Sequence, residues 1–383
     1  MFLVVLGSSL GLMTLYVWFR TVRSTTRPGR VRRILTALLL VLTALLVAAL
    51  VSRRDPAGSG WLAWPGYLWF GLLVYLVLAL LVLEPVRLIL RLTRLMKGRR
   101  PADEAPDLER RLFLARAGAV AAGAAAVGVT GVGVATALGP PDVLRVPVRL
   151  PRLAREFDGF RIAVVSDIHL GPLLGRRHTE RIVRMINETE PDLVAVVGDL
   201  VDGTVAQLGP AAAPLADLVS RDGTFFVTGN HEYFVDDTAG WLTELDQLGV
   251  QVLRNENTRI RRGAAAFDLA GVNDLAGRSA EEPPDFDAAL RGTDAGTPTI
   301  LLAHQPVQVA EAARRNVDLQ LSGHTHGGQM WPFHYAVELA QPSLAGLSTV
   351  DGTQLYVSRG AGFWGPPVRV GAPPDITVLT LRG

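Results

Sequence analysis

The chain has 383 residues, 49% apolar and 19% charged, with no cysteine. Soluble domains carry roughly a quarter charged residues, and the deficit here sits at the N-terminal end, which excludes a fully soluble protein. A disordered chain and a disulfide-stapled secreted one are excluded as well. The net charge of +2 hides two opposite halves: residues 1–140 carry 17 basic against 6 acidic residues, and 141–383 carry 21 against 30. The acidic C-terminal half argues against nucleic acid as a partner. Absent cysteine suits an oxidising exterior.

In chain order, the stretches 2–19, 34–51, 61–83 and 117–138 contain no Asp, Glu, Lys or Arg. About 20 apolar residues cross a bilayer. Four spans are therefore expected, at about 2–19, 34–51, 61–83 and 113–138, within a membrane region 1–140. The loop after the first run holds Arg20, Arg23, Arg27, Arg30, Arg32 and Arg33. The loop after the third holds Arg87, Arg91, Arg94, Lys97, Arg99, Arg100, Arg110 and Arg111, whereas the loop between holds only Arg53 and Arg54 beside Asp55. Basic loops face the cytoplasm. The expectation is a multi-pass cell-membrane protein whose residues from 139 onward are extracytoplasmic. A cleaved signal peptide is the other reading of the first run, but that run lacks a charged leading region.

The run Arg110-Arg111-Leu112-Phe113-Leu114 precedes a weakly apolar Ala/Gly-rich stretch. It resembles a twin-arginine export signal. The alternative is an ordinary basic flank on a helix that packs through small residues. No Ala-x-Ala cleavage site stands near 139–141, so the span is expected to remain as an anchor.

From 141 to 383 the pattern alternates. Strands are expected at 162–165, 193–197, 225–227, 250–253, 266–271, 299–303, 319–321, 356–358 and 376–381. Helices are expected at 177–188, 214–220, 239–248 and 307–315. This order predicts an α/β domain with a largely parallel core and helices outside. The segments 283–284 and 292–296 read as surface loops.

Polar residues follow the strands. Asp167-Ile168-His169 follows the first and Gly198-Asp199-Leu200-Val201-Asp202 the second. Gly229-Asn230-His231-Glu232, then His304, then Gly323-His324-Thr325-His326 follow later ones. Functional groups gather at carboxyl ends of strands in open α/β sheets. Imidazole, carboxylate and amide oxygen without thiolate suit Mn, Fe or Zn ions. Asp167, His169, Asp199 and His326 fit one site. Asp199, Asn230, His304 and His324 fit a second, with Asp199 bridging two cations. Glycines at 198, 229 and 323 allow the tight turns. His178 reads as solvated surface, and His334 as surface or cleft lining.

This ordered set resembles the calcineurin-like metallophosphoesterase superfamily, over about residues 158–383. The run SGHTHGGQ at 322–329 looks like its bacterial membrane-associated branch, which includes twin-arginine-exported members. The resemblance implies a four-layer α/β/β/α sandwich and phosphoester hydrolysis (mono-, di- or pyrophosphate) with two divalent ions. It implies that His231 is not a ligand but donates a proton to the leaving oxygen or stabilises charge in the transition state, with Asp202 either orienting it or standing as a solvated loop carboxylate. The aromatics of Met330-Trp331-Pro332-Phe333 and Phe363-Trp364 read either as a greasy rim for a lipid-linked substrate or as ordinary packing. A linker of about 22 residues reaches at most roughly 75 Å, which keeps the domain near the membrane and favours lipid-linked or envelope phosphoesters. Two other classes compete: a non-catalytic metal-binding sensor or assembly module, and an exported nuclease.

Overall fold

The long apolar runs form helices because a backbone in hydrocarbon must satisfy its own N–H and C=O groups. The computed structural model describes residues 2–51, 56–96 and 108–383. Arg53, Arg54, Asp55, Lys97, Arg99 and Arg100 lie outside the described residues. The chain divides into a helical unit that ends at Ala135 and also takes in Gly365–Val368, and an α/β unit that begins at Thr136.

The helical unit comprises α1 (Phe2–Val17), α2 (Arg30–Val51), α3 (Pro56–Val82), α4 (Glu84–Met96) and α5 (Leu108–Leu138). Three stretches among the described residues are long and apolar enough to cross a membrane: Arg30–Val51, Gly60–Ile89 and Glu109–Leu138. Four were expected; the remaining run, 2–19, is helical throughout, but not as a single long α-helix. Its α-helix stops after 16 residues and widens into a π-helix over Trp18–Arg23. Glu84, at the α3–α4 junction, accepts hydrogen bonds from Tyr16 Oη (2.8 Å) and Arg87 Nη1 (2.6 Å) and pairs with Arg20. A carboxylate beside apolar helices is tolerated only with such partners.

The α/β unit begins with β1 (Asp142–Arg149), β2 (Arg161–Val165), α6 (Arg176–Asn187), β3 (Leu193–Val197) and α7 (Val205–Ala212). It continues through β4 (Thr224–Val227), α8 (Thr238–Gln247), β5 (Val250–Val252), β6 (Glu256–Arg262) and β7 (Ala265–Gly271). Then come α9 (Phe286–Ala289), β8 (Thr299–Leu302), α10 (Val309–Arg314), β9 (Leu319–Ser322) and α11 (His334–Glu338). The strands β10 (Gly346–Val350), β11 (Thr353–Val357) and β12 (Asp375–Arg382) close the chain.

Two six-stranded mixed sheets result, in the orders β1-β12-β2-β3-β4-β5 and β10-β11-β9-β8-β7-β6. Strands β2 to β5 are mutually parallel, as are β7, β8, β9 and β11. Side chains alternate across each strand, so every central strand serves two cores. Val164, Val197 and Val227 meet Leu269, Leu302 and Leu321 between the sheets. On the other side, Val165, Val196 and Phe226 pack against Ile182 and Ile186 of α6 and Trp241 of α8. Beneath the second sheet, Ala270 and Leu301 pack on Ala289 of α9 and Ala312 of α10. Helices, sheet, sheet, helices: this is the four-layer α/β/β/α sandwich.

Three strands lay outside the sequence reading: β1, β6 and β10. Each is an edge strand, and in each most residues are exposed or half-buried, with only Val148 in β1 and Ile260 in β6 buried. Helix α7 was also missed, and the expected helix at 214–220 is a 3-10 turn over Ala213–Asp217.

Candidate metal centre

The carboxyl ends of β2, β3, β4, β8 and β9 come together, and the residues that follow them are the candidate ligands. Their loops are tied to each other by backbone. Asp167 N donates to Gly198 O (3.1 Å), His169 N to Asp199 O (3.1 Å) and Asp202 N to Leu170 O (2.8 Å). Asp167, His169, Asp199, His324 and His326 all have positive φ, between 51° and 72°. Each such residue costs about 1–3 kcal/mol and persists only where its surroundings over-determine it. The glycines are required by proximity. A Cβ on Gly229 would stand 2.2 Å from Asp199 Oδ1, and one on Gly323 would stand 2.3 Å from Asp167 Oδ2.

Asp199 is central. Its Oδ1 accepts from the backbone N–H of His231 (2.8 Å). Its Oδ2 lies 3.2 Å from His304 Nε2 and 3.8 Å from His169 Nε2. On one side, His326 Nε2 is 3.3 Å from Asp167 Oδ1 and 3.0 Å from His169 Nε2. On the other, His324 Nδ1 is 2.8 Å from Asn230 Oδ1. Asp167, His169, Asp199, Asn230, His304 and His326 are all buried.

This donor set fits divalent cations. The ring nitrogens of His169 and His326 face each other with room for one proton between them. His304 donates Nδ1–H to Val197 O (2.8 Å), so in the neutral ring the lone pair sits on Nε2, where a cation can take the place of the proton. That Nε2 is buried and has no hydrogen-bond partner among the described residues. Three triplets bring ligand atoms within 4.8 Å of one another: Asp167/His169/His326, His169/Asp199/His231 and Asp199/His304/His324. Asp199 belongs to two of them.

The electrostatics of the cluster suit a cation. Burial opposes a charged His304, yet Asp199, Asp167 and Asp274 outweigh it and push its pKa well above the ordinary imidazole value. Burial raises the Asp167 carboxyl. Burial, with charged His304 nearby, lowers His324 to about 4. Such a cluster is costly to desolvate without a cation.

His231 stands apart in its bonding. Its Nδ1 is 2.5 Å from Asp202 Oδ1, while its Nε2 turns into the site, 3.9 Å from Asp199 Oδ2. The same Asp202 oxygen is 3.4 Å from His169 Nδ1. Burial opposes the charged imidazolium of His231, but Asp199 and Asp202 overcome it and carry its pKa up to about 9. Asp202 is held well below the ordinary carboxylate range against its own desolvation, by His231 and His169.

Two residues of the site were given no role by the sequence. Glu232 accepts from the backbone N–H groups of Gly229 (2.6 Å), Leu200 (2.8 Å), Asp199 (3.0 Å) and Val201 (3.3 Å). It therefore shapes the turn that aims Asp199, and its place beside Asn230-His231 was the available signal. Arg369 is buried, and its guanidinium donates to the carbonyls of Gly362 (2.6 Å), Arg359 (2.8 Å) and Ala372 (2.9 Å) against the His326 ring. A lone arginine in a C-terminal loop gave no signal. His178 is buried on α6, contrary to the surface reading, and burial lowers its pKa to about 4. His334 starts α11, half-buried, with its ring 4.0 Å from that of Tyr335.

Residues 160–328 match the model of the calcineurin-like phosphoesterase family. A zebrafish (Danio rerio) protein called transmembrane protein with metallophosphoesterase domain is 34% identical over 403 residues, covering 100% of this chain and 89% of that protein. A Bos taurus protein of the same description is 44% identical over 64% of this chain and 58% of its own length. An uncharacterised metallophosphoesterase of Helicobacter pylori is 40% identical over 64% of this chain and 65% of its own. The chain belongs to the calcineurin-like metallophosphoesterases, hydrolases of phosphoric ester bonds carried here behind membrane-spanning helices.

The His231–Asp202 pair makes a testable statement. A pKa raised above the unfolded value near 6.5 means a stabilising pair that is intact below that value and is lost as pH rises through about 9. In metal-free protein, Asp202→Asn should lower the His231 pKa, read by imidazole NMR, and shift the alkaline loss of stability to lower pH. An unmoved titration would show that Asp202 does not hold the proton on His231.

Proposed function

We propose that residues 141–383 hydrolyse phosphoester bonds at a dinuclear divalent-metal centre on the extracytoplasmic side of the membrane. The observation that carries this reading is the single Asp199 Oδ2 shared by the imidazoles of His304 (3.2 Å) and His169 (3.8 Å). In this reading Asp167, His169, Asp199 and His326 hold one ion of Mn, Fe or Zn. Asp199, Asn230, His304 and His324 hold the other. When bound, the pair supplies Lewis acidity to water and to the phosphoryl oxygens.

The remaining roles belong to the protein. His231 carries its proton on Nε2 toward the site while Asp202 fixes Nδ1–H. As a water oxygen bonds to phosphorus and gives up a proton to solvent, the bond to the leaving oxygen breaks and the His231 proton ends on that oxygen; solvent then returns a proton to His231. A hydrogen-bonded His–Asp pair beside a metal cluster serves a reaction rather than ion storage, which favours the enzyme over a sensor or assembly module. The acidic domain, with 21 basic against 30 acidic residues, disfavours a nuclease.

Metal binding tests the bridge. Asp199→Ala should lose both ions by elemental analysis, whereas His169→Ala should weaken one site. A full metal complement in the Asp199 variant would overturn the dinuclear reading. His231→Ala should keep its metal and lose about 10²–10⁴ in turnover, less with nitrophenolate leaving groups that need no proton. Loss of metal in that variant would make His231 a ligand instead.

A lipid-linked or envelope phosphoester is the substrate class we favour. Trp331, Phe333 and Tyr335, just beyond the last histidines, are 50–60% exposed, whereas Met330 and Phe363 are buried. That exposure supports the rim reading for those rings, and burial supports the packing reading for Phe363. The outward orientation follows from the basic flanks and is the same whether or not residues 2–19 cross. We read Arg110-Arg111 as a twin-arginine signal that exports the folded, metal-loaded domain. Arg110→Lys with Arg111→Lys keeps the charge, so the positive-inside rule predicts no change. Protease added to spheroplasts should digest the wild-type domain and spare the variant. Equal digestion would remove the export signal, and protection of both would place the domain in the cytoplasm.

A further inference from the structure

Two aromatic rings from distant chain segments converge on His231 from outside the ligand set. Phe234 follows the 3-10 turn His231–Tyr233 and lies 5.3 Å from the His231 ring, at 61°. Trp364, in the C-terminal loop, lies 5.6 Å from it, at 78°. Neither belongs to the core: Phe234 is 68% exposed and Trp364 38%. Trp364 is nonetheless held in place. Its backbone N–H donates to Gln329 Oε1 (3.1 Å), and Gln329 Nε2 donates to its carbonyl (3.0 Å). Gln329 ends the loop that carries His324 and His326, so this clamp ties the indole to the metal-ligating segment.

We propose that Phe234 and Trp364 form the leaving-group subsite, and that it takes an apolar group attached to the leaving oxygen. The inference rests on the hydrolase reading, in which His231 protonates that oxygen. Whatever the oxygen carries must then leave past the edge of His231, where these two rings stand. An apolar group placed there removes exposed aromatic surface from water and gains ring contacts, whereas a small polar alcohol gains neither. An acyl or alkyl chain and an aromatic ring share this chemistry.

Phosphate esters of methanol, hexanol and benzyl alcohol separate the possibilities, because their leaving oxygens are similar in basicity. Each is assayed as the monoester and as the methyl diester, with the full chain in detergent and Mn²⁺. The wild type should favour the hexyl or the benzyl ester over the methyl ester by about tenfold or more in kcat/KM. A hexyl preference identifies a chain and a benzyl preference a ring. Phe234→Ala and Trp364→Ala should each cut that ratio several-fold with bound metal unchanged, and Trp364→Phe should keep most of it. Equal kcat/KM on all three esters in the wild type, or equal losses on all three in the variants, overturns the subsite while hydrolysis stands. Absence of hydrolysis even of nitrophenyl esters by metal-loaded protein overturns the hydrolase reading and this inference with it.

Discussion

One carboxylate oxygen organises this site. The buried Asp199 Oδ2 faces the imidazoles of His304, His169 and His231. It gets there because Asp199 adopts a left-handed backbone and because Gly229 has no Cβ to collide with it. Glu232 then gathers four backbone N–H groups around the turn. An amide contact of this kind nets about 1 kcal/mol, but leaving any one of these buried donors unpaired costs about 1–3 kcal/mol. The aim of Asp199 is therefore set by a buried carboxylate that is in none of the candidate metal-holding groups.

The sandwich provides the stiffness that such strain requires. Packed interiors resist displacement because they contain little free volume. Central strands whose residues are buried on both faces, such as Leu193–Val197, hold the turns that follow them. The five candidate ligands in left-handed conformation would relax in a softer frame. Arg369 plays a comparable part for His326, since its guanidinium closes the C-terminal loop through backbone carbonyls. Its own desolvation lowers its pKa to about 10, so it remains charged in neutral solution.

The two units differ in how they tolerate charge. The helical unit neutralises Glu84 locally with Tyr16, Arg20 and Arg87. The α/β unit instead concentrates uncompensated donors at one place, the strand ends, where a cation can complete them. Its surplus of acidic residues adds to that field and sets it apart from the basic flanks of the membrane region.

Much of this was legible in the order of residues. Apolar runs long enough to span a bilayer, β-branched strands and the His, Asp and Asn residues after them are local signals, because each depends on neighbours within a few positions. The edge strands β1, β6 and β10 were not legible, because a half-solvated strand carries no apolar run. Composition did not reveal that the first apolar run passes from an α-helix into a π-helix at Trp18. By itself the sequence determined the class of chemistry: thiol-free ligands at strand ends, behind a membrane anchor. Only the tertiary structure decided that one oxygen of Asp199 faces three imidazoles, that Glu232 and Arg369 hold the loops of the candidate ligands, and that Phe234 and Trp364 meet at His231. Those relations join residues from different loops, and packing of the two sheets, rather than spacing along the chain, fixes the distances between them.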